Sequence, residues 1–107
     1  EQAVERRLRR EGWTVLGRNL RLAGVEVDIV AESAGRVVLW EVKHRRRGDY
    51  PALSASQRRR LSAAAETYAV RHSPVAVGLG LAVVDGTGWW PRITLESDGL
   101  VDVDAAP

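Results

Sequence analysis

The sequence predicts an α/β fold in which helices flank a mixed sheet, with the element order αβββαββ. Two segments carry apolar residues at helical spacing, and five other segments are short hydrophobic runs typical of strands. The first three strands are joined by short breaks and form a predicted meander, after which the second helix crosses over to the fourth strand. The two predicted helices would pack against this sheet and form a two-layer or three-layer sandwich. With 107 residues we expect a single domain, residues 1–107.

Local signals set the boundaries of the elements. Val4 and Leu8 lie one helical turn apart, which predicts the first helix. Ser54 or Ser56 is the expected N-cap of the second helix, which ends before Pro74. The predicted elements are a helix over 2–12, strands over 13–22, 25–31 and 35–43, a helix over 54–72, strands over 75–84 and 89–96, and a frayed acidic tail over 97–107.

Composition excludes several classes of protein. The charged and hydrophobic fractions, 28% and 45%, are those of an ordinary soluble globular protein. No apolar run reaches the roughly 18 residues that a membrane-spanning helix needs. The sequence has no cysteine, which excludes disulfides and thiolate metal sites and agrees with the location that we expect, the reducing cytoplasm.

Charged residues interrupt the two hydrophobic runs of the second and third strands. Asp28 lies in the first run, and Glu41 and Lys43 share one face near the end of the second. If Ala34-Gly35 is the centre of a hairpin, Asp28 stands opposite Glu41, and Glu26 stands opposite Lys43. This register predicts two carboxylates within reach of one divalent cation, with an ammonium group beside them.

These residue types are the ones that phosphodiester hydrolysis needs. A metal offsets the developing charge and activates water, Mg²⁺ needs only one or two carboxylates, and a lysine can position the water or stabilise the transition state. The spacing of Glu41 and Lys43 alone favours a simpler interpretation, a cross-strand salt bridge on a solvated sheet face. Residues 37–42 around Glu41 are nevertheless hydrophobic on both faces, and charge at the end of such a covered strand is costly unless it is paired or metal-bound.

A wider set of residues carries a family resemblance in matching order over about residues 1–70. The set is Glu1, Leu8, Gly12, Arg18-Asn19, Glu26 to Ala31, Glu41-Val42-Lys43, Arg45, Leu61, Ala65 and Tyr68. It resembles the YraN-like family of the PD-(D/E)xK superfamily, which is related in fold to Holliday-junction resolvases. The resemblance implies a restriction-endonuclease-like sheet, divalent-metal chemistry and a nucleic-acid substrate. One departure is Gly78-Leu79-Gly80, where the family usually has Arg-Phe-Asp.

The resemblance also implies roles for individual residues. Asp28 matches the metal-binding aspartate, Glu41 the second metal carboxylate and Lys43 the catalytic lysine. Glu1 matches a first-helix glutamate that would be an additional ligand of the metal or its water. Gln57 stands where the family more often has lysine and related nucleases have glutamine. It is either a further catalytic residue or a solvent-facing residue at the start of the helix.

Basic residues form three groups although the net charge is only +2. They are Arg6, Arg7, Arg9 and Arg10; Arg45, Arg46 and Arg47; and Arg58, Arg59 and Arg60. One such group alone would indicate a solvated helix face. Three groups beside a candidate metal site favour a polyanionic partner, because guanidinium groups suit phosphate.

Sequence and resemblance together predict an endonuclease that hydrolyses DNA with Mg²⁺, or with Mn²⁺ as a substitute. The residues expected to hold phosphates are Arg45, Arg46, Arg47, Arg58 and Arg59. The alternative is a DNA-binding accessory module that keeps the nuclease fold with little or no cleavage, and a purely structural interaction domain fits least. Cutting a four-way junction would require two sites, hence a homodimer, which no feature of the sequence demonstrates.

Overall fold

The computed structural model describes residues 2–74, 76–86, 88 and 90–97 and confirms the predicted element order. The elements are α1 (Gln2–Arg10), β1 (Thr14–Leu22), β2 (Val25–Ser33), β3 (Arg36–Arg45), α2 (Ala55–His72), β4 (Ala76–Asp85) and β5 (Arg92–Ser97). The predicted end of the third strand at Lys43 is wrong, because β3 stays paired with β4 as far as Arg45. Of the predicted tail, Ser97 ends β5, and 98–107 lie outside the described residues. No helix in the described ranges is long and apolar enough to cross a membrane.

The five strands form one mixed sheet with the order β1-β2-β3-β4-β5. The pairs β1–β2, β2–β3 and β4–β5 are antiparallel, whereas β3 and β4 are parallel. The parallel pair requires a crossover, and α2 provides it. The start of α2 therefore lies close to the end of β3, which is where sites are usually found in α/β sheets.

Helices cover both faces of the sheet, so the three-layer sandwich is the correct one of the two predicted. The α2 side of the sheet contains Leu22, Val27, Val30, Val37, Leu39, Leu61, Ala64, Tyr68 and Leu79. The α1 side contains Val4, Leu8, Ile29, Ala31, Val38, Trp40 and Ala82. Along β3 the faces alternate, with Leu39 on the α2 side and Trp40 on the α1 side. Burial of each leucine or valine on either side stabilises the fold by about 1.5–3 kcal/mol.

Ser54 is the N-cap of α2, which decides between the two predicted serines. Its hydroxyl accepts from the backbone N–H of Gln57 at 3.1 Å, and the Gln57 side chain accepts from the Ser54 N–H at 2.9 Å. This reciprocal pair is a capping box and satisfies two amide donors at the helix start. At the other end Ser73 adopts a left-handed conformation and donates its N–H to the Ala69 carbonyl.

Trp40 fills the centre of the α1 side. Trp40 is 2% exposed. Its ring packs edge to face against the Trp13 ring, with 5.8 Å between the ring centroids. β4 passes beside the Trp40 ring at Gly80, where an added Cβ would lie 2.5 Å from a ring carbon. Gly80 is thus required by the tryptophan, which is a physical reason for a glycine where the resembled family usually has aspartate.

Candidate metal and nucleic-acid site

An irregularity in β2 places Asp28. Val27 and Val30 lie on the α2 side, yet Ile29 lies on the α1 side, so the simple alternation of faces is broken near Asp28. On the neighbouring strand, regular pairs flank Asn19, which has a left-handed φ of 50°. Asparagine tolerates this conformation better than most residues. The kink opposite Asn19 was not predicted from the sequence, because no alternation pattern records a single positive φ.

The Asp28 carboxylate is fixed by the third strand. The β2–β3 pairing runs from Ser33–Arg36 to Ile29–Trp40, in the register predicted from the turn. Beyond the last pair, the Val42 N–H of β3 donates to Asp28 Oδ2 at 2.8 Å. The ladder ends at Ile29–Trp40, so the predicted backbone pairs Asp28–Glu41 and Glu26–Lys43 are both absent. On its other edge, β2 pairs Glu26 with Arg21 of β1.

Glu41 is half-buried at the end of β3 and close enough to Asp28 to be affected by its charge. Burial raises the pKa of Glu41 above its ordinary value of 4.5, and the negative charge of Asp28 raises it further. Lys43 and Arg60 act in the opposite direction and lower this pKa, but their effects are smaller. The two predicted metal carboxylates therefore interact through their charges.

Lys43 is tied to the start of α2. Its Nζ donates to Gln57 Oε1 at 3.0 Å, the same oxygen that accepts from the Ser54 N–H. The capping box holds the Gln57 amide in place, so the position of the ammonium group depends on the N-terminus of the helix. Gln57 therefore contacts a residue of the candidate site, and its catalytic role stays a prediction.

A cleft of about 320 Å³ opens next to Glu41. Gln57 and Arg60 of α2 form one wall, and Arg21 and Glu26 of the β1–β2 hairpin line the other. The cleft thus contains two guanidinium groups and two carboxylates. Arg60 was not among the predicted phosphate-binding residues, although it belongs to the third arginine group.

The five arginines predicted to hold phosphates fall into two settings. Arg46, Arg47, Arg58 and Arg59 are exposed. Arg45 is engaged within the fold, where it forms an ion pair with Asp85 at 3.0 Å and donates from Nε to the Asp49 carbonyl at 3.0 Å.

The carboxylates that could hold a metal are Asp28 and Glu41. Within the described ranges, no group of three or more histidine, aspartate and glutamate side chains is placed to hold a metal ion. Two carboxylates are enough for Mg²⁺, which retains several of its waters. Glu1, the third predicted ligand, lies outside the described residues.

The ion pairs that buried Glu5 of α1 forms with two exposed arginines were not predicted from the sequence. Glu5 is 4% exposed, and its Oε1 lies 2.9 Å from an Arg18 nitrogen and 3.5 Å from an Arg9 nitrogen. The pair with Arg18 joins α1 to β1 one residue before the kink at Asn19. The spacing of Glu5 and Arg9, one helical turn apart, indicates the contact between them, whereas no local pattern indicates the contact with Arg18.

Comparison with known proteins places the chain within one family. The model of the Uncharacterised protein family UPF0102 matches residues 1–85. A UPF0102 protein of Granulibacter bethesdensis is 37% identical over 104 residues, which cover 88% of this chain and 63% of that protein. One from Symbiobacterium thermophilum is 36% identical over 75 residues, 66% of this chain and 64% of that protein. One from Dechloromonas aromatica is 30% identical over 90 residues, 80% of this chain and 75% of that protein.

Proposed function

We propose that this chain, which belongs to the uncharacterised protein family UPF0102, is an Mg²⁺-dependent endonuclease that hydrolyses phosphodiester bonds of DNA. This membership confirms the YraN-like family predicted from the sequence. The observation that carries the proposed activity is the meeting of Asp28, Glu41 and Lys43 at one end of β3. The matched region spans less than two thirds of the first two relatives, at 63% and 64%, so the proposal concerns the site that this chain contains.

The donor set suits a hard divalent cation. Asp28 uses Oδ2 to accept the Val42 N–H, which orients the carboxylate, and no residue among those that the structure describes donates a hydrogen bond to Oδ1. Burial and the charge of Asp28 both raise the pKa of Glu41, and a bound cation would relieve that repulsion. Mg²⁺ and Mn²⁺ both accept carboxylate and water oxygens. The residues present therefore fit the metal.

Each residue has a defined task in this proposal. Mg²⁺, when bound, would offset charge on the phosphate and make water more acidic. Asp28 and Glu41 would hold the ion. Lys43 gives one N–H to Gln57 and has two left to hold the attacking water or to balance charge on the phosphate. Gln57 acts through Lys43 and is a positioning residue.

The test is cleavage of labelled single-stranded, duplex and four-way-junction DNA with Mg²⁺ or Mn²⁺. We expect Asp28→Asn and Lys43→Ala to lower the rate by about 100-fold or more, the usual cost of losing a group that stabilises the transition state. Lys43→Arg is the matched variant, because it keeps the charge and changes the shape of the donor. Cutting that survives both Asp28→Asn and Lys43→Ala would disprove the site.

Metal binding can be measured without cleavage. Mg²⁺ should raise the melting temperature of the wild-type protein, since a ligand that binds the folded state stabilises it. Asp28→Asn should reduce that increase, whereas Arg59→Ala, which alters an exposed residue on α2, should leave it unchanged. Equal increases in all three proteins would place the metal elsewhere.

The DNA-binding accessory module remains the second candidate, and one observation favours it. The ring of Trp40 excludes any larger residue at position 80, so β4 cannot supply the aspartate that the resembled family usually has there. If wild-type protein binds DNA but cuts none of the three substrates, this candidate replaces the endonuclease. Affinity should fall steeply with salt in both cases, because arginine–phosphate contacts release counterions.

A further inference from the structure

Tyr50 is an aromatic residue on the surface beside the candidate site. It lies in the segment between β3 and α2 and is 88% exposed. A tyrosine usually buries most of its ring, because aromatic side chains contribute much apolar area to a core. An almost fully exposed ring is therefore available to a partner.

Several contacts hold the Arg45 side chain next to this ring. The Arg45 guanidinium lies 5.7 Å from the centroid of the Tyr50 ring, within the range of a cation–π contact. The same guanidinium is anchored by Asp85 and by the Asp49 carbonyl, each at 3.0 Å. Arg45 thus links Tyr50 to the end of β3. The exposed ring therefore has a guanidinium of fixed position beside it.

A groove of about 230 Å³ runs beside Tyr50. Val83 of β4 lies in it, together with Thr94 and Glu96 of β5 and Pro51. Its volume is below the range of about 300–1,000 Å³ that drug-sized ligands occupy. One planar ring fits this size and this mixture of apolar and polar side chains.

The groove is close to the proposed site of cleavage. Lys43 and Arg45 are two residues apart on β3 and share a face, so their backbones are about 6.6 Å apart at the usual rise of a strand. Tyr50 lies beyond the Arg45 side chain, whose guanidinium contacts the ring. A DNA strand with a phosphate at Lys43 that continued past Arg45 would bring a base a few nucleotides away onto Tyr50.

We propose that Tyr50 is a stacking platform for an unpaired DNA base, so that the substrate contains a single-stranded segment. The inference rests on the proposed function, because it takes the phosphate position from Lys43. The exposed Arg46 and Arg47 lie on the same segment and provide the positive charge that a DNA backbone requires. A base within an intact duplex is stacked and paired and is not available to the ring.

The test measures DNA binding by fluorescence anisotropy in EDTA, where metal-dependent cleavage is excluded. The probes are labelled single-stranded oligothymidylate and a blunt duplex of equal length. We expect Tyr50→Ala to weaken binding of the single strand by about 5-fold to 150-fold, the measured range for one base stacked on an aromatic ring. Duplex binding should not change. Tyr50→Phe should bind as the wild type does, because it keeps the ring.

Val70→Ala is the control, since Val70 is 83% exposed but lies near the other end of α2. A second readout is the fluorescence of 2-aminopurine in a single strand, which stacking quenches. Wild type and Tyr50→Phe should quench it, and Tyr50→Ala should not. Equal affinities of wild type and Tyr50→Ala for the single strand would overturn the proposal, as would equal losses for single strand and duplex or an absence of DNA binding by the wild type.

The same variants separate this proposal from the endonuclease. Protein that stacks the base through Tyr50 but never cuts with Mg²⁺ would refute the endonuclease and retain the platform. Protein that cuts with Mg²⁺, but whose preference between single strand and duplex is the same in Tyr50→Ala, would refute the platform and retain the endonuclease.

Discussion

The two faces of β3 show how one strand builds both a closed core and a polar site. Trp40 points to the α1 side, where Val4, Leu8 and Val38 are fully buried around it. Its neighbour Glu41 points to the opposite face, where the apolar α2 side ends and a cleft begins. The difference between the two faces arises from where each helix lies. α1 packs its apolar residues over the centre of the sheet, whereas α2 begins beside the end of β3 and presents its N-terminus there.

The two faces of β3 also differ in how polar groups of β3 are hydrogen-bonded. On the α1 side, Trp40 Nε1 is a buried nitrogen without a hydrogen-bond partner in the described part of the chain. At the site, by contrast, Val42 N–H donates to Asp28 and Lys43 donates to Gln57. The α1 side thus tolerates an unsatisfied donor for the sake of packing, and the site depends on directed bonds. Substitutions on the two faces should accordingly affect different properties.

The largest expected effect is that of Trp40→Ala on stability. Removing a buried tryptophan should lower the free energy of unfolding by about 3–5 kcal/mol, because apolar contacts are lost and a cavity remains. Lys43→Ala, on the other face, should change it by about 0.5 kcal/mol or less, as is usual for an exposed or half-exposed residue. Urea denaturation followed by circular dichroism measures both. Similar losses in the two variants would contradict the division between core and site.

Substitution of Gly80 tests whether the Trp40 ring determines the residue at position 80. Gly80→Ala alone should cost about 1–3 kcal/mol, since its Cβ would overlap the Trp40 ring. In the Trp40→Ala background the same change should cost little, because the ring is absent. The double-mutant cycle should therefore show strong coupling between positions 40 and 80. Additive effects would mean that the close approach does not determine the choice of glycine.

Sequence patterns predicted the parts of the fold that depend on periodicity and local chemistry. The Ala34-Gly35 turn set the hairpin register, and Ser54 was one of two serines expected to cap α2. The kink at Asn19 and the choice of Gly80 were not predictable. The choice of Gly80 depends on a contact with Trp40, which is distant in the chain, and the positive φ of Asn19 leaves no mark in a pattern of alternating faces. A pattern of alternating faces describes a regular strand, and the candidate site is built where β2 is irregular.

The third expected effect concerns β1 and β2 at Asn19 and Asp28. Asn19→Ala should lower the free energy of unfolding by about 1–2 kcal/mol, because a Cβ without a compensating polar group disfavours the left-handed region. Asn19→Gly should cost much less, since glycine adopts a positive φ readily. If the kink places the carboxylate, Asn19→Ala should also reduce the stabilisation by Mg²⁺, and Asn19→Gly should retain it. Thermal unfolding with and without Mg²⁺ measures both quantities.

Equal Mg²⁺ effects in Asn19→Ala and Asn19→Gly would separate the kink from the metal site and leave Asn19 with a role in stability only. Loss of the Mg²⁺ effect in both variants would instead indicate that the Asn19 amide group itself is needed. The two variants thus distinguish an effect of the backbone conformation at position 19 from an effect of the Asn19 side chain.

The smallest expected effect is a pH-dependent gain in stability in Glu41→Gln. The pKa of Glu41 is raised in the folded protein, so between 4.5 and that raised pKa the folded state binds more protons than the unfolded state. Stability of the wild type should therefore fall as the pH rises through this window and stay lower above it. Glu41→Gln carries no titrating carboxyl group at this position. At neutral pH it should be more stable than the wild type by roughly 0.5 kcal/mol, an effect kept small by solvent screening of a half-buried group.

The gain should vanish below the ordinary pKa of glutamate, where the wild-type carboxyl is also neutral, and urea denaturation across a pH series measures it. Saturating Mg²⁺ should reverse the order at neutral pH, because the cation stabilises the charged carboxylate and has less affinity for the amide. A wild-type protein that remains less stable than Glu41→Gln in Mg²⁺ would show that Glu41 does not bind the ion.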